Sequence, residues 1–589
     1  MVAALVSMGQ AATLSLAGPR ASWAIPNPPA VVLSGEFIQQ ANITPVDFDG
    51  DGDKELVIGG QDGMLYVVAY NGSSWSVVWS RQTAQDLNAA GAPTSGCVTS
   101  KSDIRSSAAV ADLDNDGRLE IVVTTGGDPA QHRNGGVLVY RHIANWSFSV
   151  VPGWPQPKID QVGLGAGSSN PDGCWDGIWS SPAVGDLDGD GDQEVIALGF
   201  DRRIHAWHHN GVYVSGWPIY RNNGDALLRG GWSSPALGDI DGDGLPEVVV
   251  GTDSPPWGGE GTTPDYSKST VWAINGDSIN VPGWPVVTDQ LIQSSPALGD
   301  IDGDGQLEVV VGTGVAIAGA GYKVYAWKGN GAPVAGWPKA TSGYMPASPA
   351  LGDLDGDGDL EIVIGCGYGG SACRSLYAWH GNGAPVFAPV TPAGAPNDLP
   401  YPPVLADYDG DGAVEILVIS YGATGISIVE ANGATYSDPA LATLIPLSSA
   451  PIVDDLDGDG HLEIAVGAMN PTATNGAIYI WDVAGAADDA LPWRMFHHDT
   501  QRTGNVHFDR TPPSNPQISS STHTPGSWSK QNVVQVAWTG AQDRETGIAR
   551  YHYVWDTSAS TTVGQGAPWV DGDTSTLASG PLADGPSWY

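Results

Sequence analysis

An aspartate-rich, nine-residue motif recurs eight times along the chain and constrains the fold more than any other sequence feature. Each copy has acids at positions 1, 3, 5 and 9 and glycine at position 6, and a β-branched run follows it. Successive copies are between 48 residues (Asp407 to Asp455) and 74 residues (Asp112 to Asp186) apart. A period of this length indicates a repeat architecture in which each copy marks one supersecondary unit.

A second element follows most copies and completes the repeat unit. It reads as an apolar run, Ala-Trp, Asn-Gly and then Gly-Trp-Pro, as in 205–218 and 325–338. Asn-Gly between two extended runs is a strong hairpin signal. We therefore expect four strands in each unit: one before the Asp-rich motif, one after it, one at Ala-Trp and one leading to Gly-Trp-Pro. No sustained 3.6-residue period occurs, which excludes a helical solenoid.

Four strands repeated radially predict an all-β fold, the β-propeller. Eight copies favour eight blades, with seven as the alternative. The predicted domains are an N-terminal tail or degraded signal segment (1–30), the propeller (31–507), a linker (508–517) and a partial β-sandwich (518–589).

The Asp-rich motif has the donor set of a calcium loop. Alternate positions of a tight loop can point at one centre, and glycine at position 6 permits the positive φ that frees the position-7 carbonyl. Hard oxygen ligands without His or Cys favour calcium over zinc or copper. An EF-hand is excluded, because its last acid stands at position 12 and helices flank its loop.

We predict up to eight Ca²⁺ ions of mainly structural role, held by the carboxylates of positions 1, 3, 5 and 9 and the main-chain carbonyl of position 7. In chain order, the predicted ligands are Asp47, Asp49, Asp51, Asp53 and Glu55; Asp112, Asp114, Asp116, Arg118 and Glu120; Asp186, Asp188, Asp190, Asp192 and Glu194; Asp239, Asp241, Asp243, Leu245 and Glu247; Asp300, Asp302, Asp304, Gln306 and Glu308; Asp353, Asp355, Asp357, Asp359 and Glu361; Asp407, Asp409, Asp411, Ala413 and Glu415; and Asp455, Asp457, Asp459, His461 and Glu463.

The net charge of −41 excludes two classes of partner. Nucleic acid needs a basic footprint on the protein, and an anionic lipid surface repels an acidic one. No run of 18 apolar residues occurs, so no membrane span is expected. The N-terminal stretch lacks the basic start of a secretory signal, although Ser22-Trp23-Ala24 would suit a cleavage site.

Four cysteines permit two disulfides, with unpaired buried thiols as the alternative. Cys366 and Cys373 could close a short loop. Cys97 and Cys174 each precede an Asp-rich motif, in equivalent loops, and could pair across neighbouring repeats.

Residues outside the motif are expected to serve the scaffold. The Gly-Trp-Pro tryptophans and the serines of Ser-Ser-Pro recur with the blades, so they indicate packing. Aromatic residues between repeats are expected to pack in loops, with stacking on sugar rings as the alternative. The histidine groups are expected to face solvent rather than bind zinc. These residues are Trp154, Trp217, Trp284 and Trp337; Ser180, Ser233 and Ser294; Trp175, Trp179, Trp232, Trp257, Tyr266 and Tyr344; and His205, His208, His209, His497 and His498.

Over about Val31 to Val506 the chain resembles FG-GAP/VCBS repeat proteins, whose propeller is related to that of integrin α subunits. The resemblance rests on the eight Asp-rich motifs and implies calcium in a hairpin loop between the first two strands of a blade. This chain differs from the integrin pattern because every copy carries the acids and position 9 is Glu. The segment 492–504 resembles the closing piece that follows such repeats in secreted bacterial proteins. Residues 582–589 resemble the entry to a late strand of a fibronectin type III or immunoglobulin-like sandwich, so we expect the protein to continue beyond them.

The sequence predicts a secreted or cell-surface protein for adhesion or extracellular recognition, with an extracellular protein or glycan as ligand and without enzymatic activity. One alternative is a carbohydrate-active protein, either a lectin or a polysaccharide lyase like the rhamnogalacturonan lyases. The other is a structural surface or matrix protein.

Overall fold

The structure is a computed structural model of the chain. It describes residues 29–33, 41–126, 132–160, 172–220, 232–252, 269–314, 322–367, 373–469, 475–486 and 491–506, together with five strands beyond residue 516. The chain divides into two compact units, Met1–Val506 and His507–Tyr589. Nearly all of the predicted tail 1–30 and linker 508–517 lies outside the described residues, as do Trp257 and Tyr266.

The first unit is a ring of eight antiparallel sheets, which confirms the all-β propeller and the prediction of eight blades. In each blade the strands pair in chain order, except that blade 8 also includes β1, and the first strands of successive blades contact one another. The second strands are runs of buried β-branched residues, as expected for strands covered on both faces.

The blades comprise the following strands: blade 1, β2 Thr44–Val46, β3 Glu55–Gly59, β4 Met64–Tyr70 and β5 Trp75–Gln82; blade 2, β6 Ala109–Ala111, β7 Glu120–Thr125, β8 Gly136–Ala144 and β9 Ser147–Val150; blade 3, β10 Ala183–Gly185, β11 Glu194–Leu198 and β12 Ile204–Trp207; blade 4, β13 Ala236–Gly238, β14 Glu247–Thr252, β15 Ser269–Ile274 and β16 Val286–Thr288; blade 5, β17 Ala297–Gly299, β18 Glu308–Gly312, β19 Lys323–Lys328 and β20 Lys339–Ala340; blade 6, β21 Ala350–Gly352, β22 Glu361–Gly365 and β23 Leu376–His380; blade 7, β24 Val404–Ala406, β25 Glu415–Val418, β26 Ser427–Val429 and β27 Thr435–Ser437; and blade 8, β28 Ile452–Asp454, β29 His461–Met469, β30 Gly476–Ala486 and, from the N-terminal side, β1 Val31–Val32. Two short helical elements of the described residues, the helix α1 Thr83–Ala89 and the 3₁₀ helix Pro439–Leu441, lie in connections.

Strand β1 closes the ring. It pairs antiparallel with β30, so residues before the first blade complete the last one. The two blades are also joined directly, because the N–H of Ala450 donates to Oδ1 of Asn42 at 2.7 Å. This closure was not predicted from the sequence.

The expected position of the fourth strand, before Gly-Trp-Pro, is confirmed in blade 2, where β9 leads to residues 153–155, and was wrong in blades 4 and 5. In blades 4 and 5 the residues before Gly-Trp-Pro form a single bridge, and β16 and β20 come after it. Gly283 and Gly336 have φ of +98° and +93°, so the chain turns at this point and the outer strand is interrupted.

The Gly-Trp-Pro tryptophans join neighbouring blades, which confirms their packing role. The indole N–H of Trp284 donates to the carbonyl of Gly329 in blade 5 at 2.6 Å, and that of Trp337 donates to Gly381 in blade 6 at 2.7 Å. Trp154 and Trp217 make the equivalent bonds.

The Ser-Ser-Pro serines also join blades, which confirms them as scaffold. The N–H of Ser181 donates to Oγ of Ser234 in the next blade at 2.9 Å, and the N–H of Ser234 donates to Ser295. The first serine acts within its own blade: Oγ of Ser233 accepts from the N–H of Gly251.

Residues 492–506 form a closing segment that contacts the first strands of all eight blades. Its carbonyl groups accept main-chain N–H groups of six blades, Arg502 donates to the carbonyl of Ile43 in blade 1, and Pro492 lies beside Gly352 in blade 6. The six donors are Val110, Val184, Leu237, Leu298, Leu405 and Val453. This stretch therefore crosses the centre of the ring.

Both expected disulfides are present, Cys97–Cys174 and Cys366–Cys373. The first joins the connections that precede blades 2 and 3 across 77 residues of sequence. The second closes the connection between β22 and β23.

In the second unit the described strands are β31 Gln517–Ser520, β32 Gln535–Thr539, β33 Arg550–His552, β34 Trp569–Asp571 and β35 Thr576–Ala578. They form two antiparallel sheets, β31-β32-β35 and β33-β34. The fibronectin type III or immunoglobulin-like assignment stays a prediction. Among the described residues of the chain, no helix has the length and apolar character needed to span a membrane.

Candidate metal centres

Each Asp-rich motif is the hairpin between the first and second strands of its blade. The first strand ends one residue before position 1, and in seven blades position 9 begins the second strand. We call these hairpins the Asp loops and number them by blade: 47–55, 112–120, 186–194, 239–247, 300–308, 353–361, 407–415 and 455–463.

Two positions in every loop have left-handed backbone. The position-6 glycines have φ between +84° and +100°, as predicted. Position 4 also has positive φ, between +53° and +81°, and is glycine in seven loops and Asn115 in loop 2. Glycine and asparagine adopt this conformation most readily, so the loop geometry explains both residue choices.

The aspartates of positions 1 and 5 organise the loop. In loop 1 the Asp47 carboxylate accepts the N–H groups of Gly50 at 2.6 Å and Gly52 at 3.1 Å, and Asp51 accepts the N–H of Asp53 at 3.0 Å. Equivalent bonds recur around the ring, for example from Gly412 to Asp407 in loop 7. The carboxylates of positions 1 and 5 therefore stabilise the hairpin by accepting main-chain hydrogen bonds within it.

The position-9 glutamates are buried, with 2% or less of each exposed. In seven loops the Oε2 atom accepts the N–H of position 2, as from Phe48 to Glu55 at 2.9 Å, which leaves Oε1 to face the loop. Loop 7 differs: among the described residues, neither carboxylate oxygen of Glu415 has a hydrogen-bond partner.

The carboxylates converge. In loop 1 one oxygen each of Asp47, Asp49 and Glu55 lie within 4.8 Å of one another. Burial, with the neighbouring aspartates, raises the pKa of Glu55 to about 8 and that of Glu463 to about 9. A cation among these oxygens would offset the desolvation and the mutual repulsion. The hard-oxygen donor set fits calcium, while the role of the position-7 carbonyls stays a prediction.

The residue that faces position 9 differs from loop to loop. In blades 2, 5, 6 and 8 strand register pairs the position-9 glutamate with one residue of the third strand, and we call this the facing position. In the other four blades the equivalent residue is found by extending the strand register by one residue. From blade 1 to blade 8 it is held by Ala69, Arg141, His208, Asn275, Lys328, His380, Glu430 and Asp482. These residues were not among the predicted ligands, although alignment of the repeats on Ala-Trp would have shown the variation.

Two of the histidine predictions were wrong. His205 is fully buried between Asp201, whose carboxylate lies 3.0 Å from Nε2, and the Tyr213 hydroxyl, 3.0 Å from Nδ1. It replaces the tyrosine of other blades and stacks on Trp207. His497 is also buried, inside the closing segment, where its Nδ1–H donates to the Arg502 carbonyl at 3.1 Å.

Of the aromatic residues between repeats, Trp175 and Tyr344 are buried, so packing is confirmed for them. Trp179 and Trp232 are only partly buried, and their rings meet edge to face at 4.5 Å. The guanidinium of Arg105 lies 4.5 Å from the centre of the Trp179 ring.

Comparison with known families supports the repeat assignment. The FG-GAP-like repeat family matches residues 47–123, 186–250 and 407–466, and the FG-GAP repeat matches residues 231–272. The chain therefore carries FG-GAP repeats within an eight-bladed β-propeller. No curated protein matches it in sequence.

Several solved structures are similar at low sequence identity. The V. cholerae biofilm matrix protein Bap1 is 12% identical, with a TM-score of 0.46, over 78% of this chain and 90% of that one. The exotype rhamnogalacturonan lyase YesX is 15% identical, with a TM-score of 0.47, over 80% of this chain and 78% of that one. Saccharomyces cerevisiae Sqt1 is 8% identical, with a TM-score of 0.49, over 77% of this chain and 99% of that one.

Proposed function

We propose that the protein is a secreted, calcium-stabilised β-propeller that presents a rigid surface for adhesion or extracellular recognition, and that it is not an enzyme. The observation that carries the calcium assignment is the eightfold Asp loop with its buried glutamate, which in loop 1 converges with two aspartates on one centre. Millimolar calcium outside the cell suits sites of this kind.

The position of the loops supports a structural role for the metal. The N–H of Lys54 in loop 1 donates to the carbonyl of Leu456 in loop 8 at 2.8 Å, and Gln193 in loop 3 donates to Leu113 in loop 2 at 2.9 Å. An ion that orders one loop would therefore also strengthen the contact with the neighbouring blade.

Thermal unfolding of the full chain tests this role. At ten times its dissociation constant, each bound ion adds about 1.4 kcal/mol. We expect Tm to rise in millimolar calcium relative to a chelator, and equal magnesium to raise it less, because magnesium prefers a tighter octahedron and keeps its waters. An equal Tm in calcium and chelator would contradict the proposal.

A carbohydrate ligand is the second candidate, and one observation favours it. Arg105, Trp179 and Trp232 each directly precede the paired serines of blades 2, 3 and 4, so they occupy one repeat position in adjacent blades. Partly exposed aromatic rings beside a guanidinium could stack on sugar rings.

A glycan and polysaccharide screen in calcium, with absorbance read for unsaturated lyase products, separates the candidates. If Trp232→Ala abolishes binding and Tyr421→Ala, an exposed aromatic in blade 7, does not, this surface is a lectin site. New absorbance would make the protein a lyase and overturn the non-enzymatic assignment. If no sugar binds and no lyase product forms, adhesion to a protein or a structural role in a matrix is the remaining function.

A further inference from the structure

Two Asp loops contain a permanently charged side chain at the facing position. In loop 2, Nε of Arg141 lies 2.6 Å from Oε1 of Glu120 and Nη1 lies 3.3 Å from Asp116; Nη2 also bonds the carboxylate of Asp114. The guanidinium therefore meets the acids of positions 3, 5 and 9 together.

In loop 5 the ammonium group of Lys328 makes the equivalent contacts. Its Nζ lies 2.6 Å from Oδ2 of Asp302, 2.7 Å from Oδ2 of Asp304 and 4.0 Å from Oε1 of Glu308. These are again positions 3, 5 and 9. Two chemically different cations from equivalent strands thus occupy the same point in the loop, the point on which the acids converge.

Loop 7 presents the opposite arrangement. Its facing residue is the acid Glu430, which adds a further carboxylate beside Glu415. Glu415 is 1% exposed, and neither of its oxygens has a hydrogen-bond partner among the described residues. An unpartnered buried carboxylate is costly, and a cation bound in this loop would relieve a cost that no basic side chain among the described residues is seen to offset at Glu415.

We propose that the facing residue decides which Asp loops bind calcium, and that Arg141 and Lys328 take the place of the ion in loops 2 and 5. The inference rests on the proposed calcium binding and refines it. A calcium ion and an ammonium group that share three carboxylates would lie within a few ångströms and repel each other, so one excludes the other. Fewer than eight ions are then needed to complete the ring.

Native mass spectrometry of the full chain in calcium counts the bound ions. We expect no more than six on the wild-type protein. Lys328→Ala should add one ion and Arg141→Ala another, because alanine already holds the facing position of loop 1 at Ala69. Asn275→Lys, which introduces a cation at the facing position of loop 4, should remove one ion.

Lys323→Ala is the matched control. Lys323 lies on the same strand as Lys328 and makes the same type of ion pair, with Asp289 at 2.5 Å, but away from the Asp loop. Its removal should leave the ion count unchanged.

The outcomes separate this inference from the proposed function. Eight ions on the wild-type protein, or an unchanged count in Lys328→Ala and Arg141→Ala, overturns the role of the facing residue while calcium binding stands. No bound calcium on the wild-type protein or any variant overturns calcium binding itself. If an alanine variant does not fold, Asn275→Lys tests the same point in the opposite direction.

Discussion

The Asp loops and the closing segment stabilise the ring in different ways. Each loop is one of eight copies and has an exposed tip, and loops 1 and 8 and loops 2 and 3 are joined by main-chain hydrogen bonds. The closing segment occurs once, is largely buried, and contacts the first strand of every blade. We therefore expect the effects of loop changes to be small and additive, and a change in the closing segment to act on all blades together.

The largest expected effect is that of Arg502→Ala. Arg502 is buried, and its guanidinium donates to the carbonyls of Ile43, Ala108 and Phe496 and to Oγ1 of Thr44. Its removal takes these donors from the buried carbonyls of Ile43 and Phe496, each at about 1 kcal/mol or more, while the Ala108 carbonyl keeps the bond from Oγ1 of Thr44 at 2.7 Å. Denaturant unfolding should show a loss of more than about 2 kcal/mol.

Arg494→Ala is the control in the same segment. Arg494 is partly exposed and bonds Asp454 at 3.1 Å, so its loss should cost under about 1 kcal/mol. Similar losses for the two variants would contradict the special role of Arg502.

The next effect is on the pH dependence of stability. Burial lowers the pKa of His497 to about 4; the hydrogen bond to the Arg502 carbonyl opposes this shift, the Arg502 charge adds to it, and the Asp499 charge opposes it. Below about pH 6.5 the unfolded chain takes up a proton that the folded protein does not. The contribution of neutral His497 to the free energy of unfolding is therefore complete above about pH 6.5 and is lost as the pH falls towards 4.

His497→Asn should remove this component. Asparagine tolerates the positive φ of position 497 and can keep the bond to the Arg502 carbonyl. Between pH 7 and pH 5 the wild-type protein should lose about 2 kcal/mol more than the variant. Parallel stability curves for the two proteins would show that His497 does not titrate in this way.

A smaller effect, with opposite signs in two solutions, is expected for Glu247→Gln in loop 4. With calcium bound, the amide is a poorer ligand, and the protein should lose about 1 kcal/mol. In chelator the variant should be at least as stable as the wild-type protein, because a neutral amide replaces a buried carboxyl whose pKa burial raises to about 8. Calorimetry of both proteins in calcium and in chelator measures the sign of the stability change in each solution.

Glu120→Gln in loop 2 is the comparison. Arg141 already pairs with Glu120, so the loss should be the same with and without calcium. A calcium-dependent loss in loop 2 as large as that in loop 4 would show that the two loops bind the ion alike.

The sequence was sufficient wherever structure is local and repeated. Eight copies of the motif predicted eight blades, the position-6 glycines predicted left-handed turns, and Trp284 with its equivalents was correctly placed in blade packing. Each of these features depends on residues within one repeat or its neighbour, and repetition separates them from chance.

The features that were missed depend on contacts between distant parts of the chain. Val31 and Val32 pair with a strand more than 400 residues away, and two valines carry no signal for that. The burial of His497 follows from the closing segment lying in the ring, and no local pattern encodes either feature. The pairing of Lys328 with loop 5 is different, because it follows from strand register within one repeat and alignment of the repeats on Ala-Trp would have shown it.

The most direct test of the account is an anomalous-scattering map of the full chain crystallised in millimolar calcium. We predict peaks among the position 1, 3, 5 and 9 carboxylates of loop 7, beside Glu415, and none in loops 2 and 5, where Arg141 and Lys328 lie. The absence of a peak in every Asp loop would contradict the calcium-stabilised propeller, and peaks in all eight would contradict the role of the two internal cations.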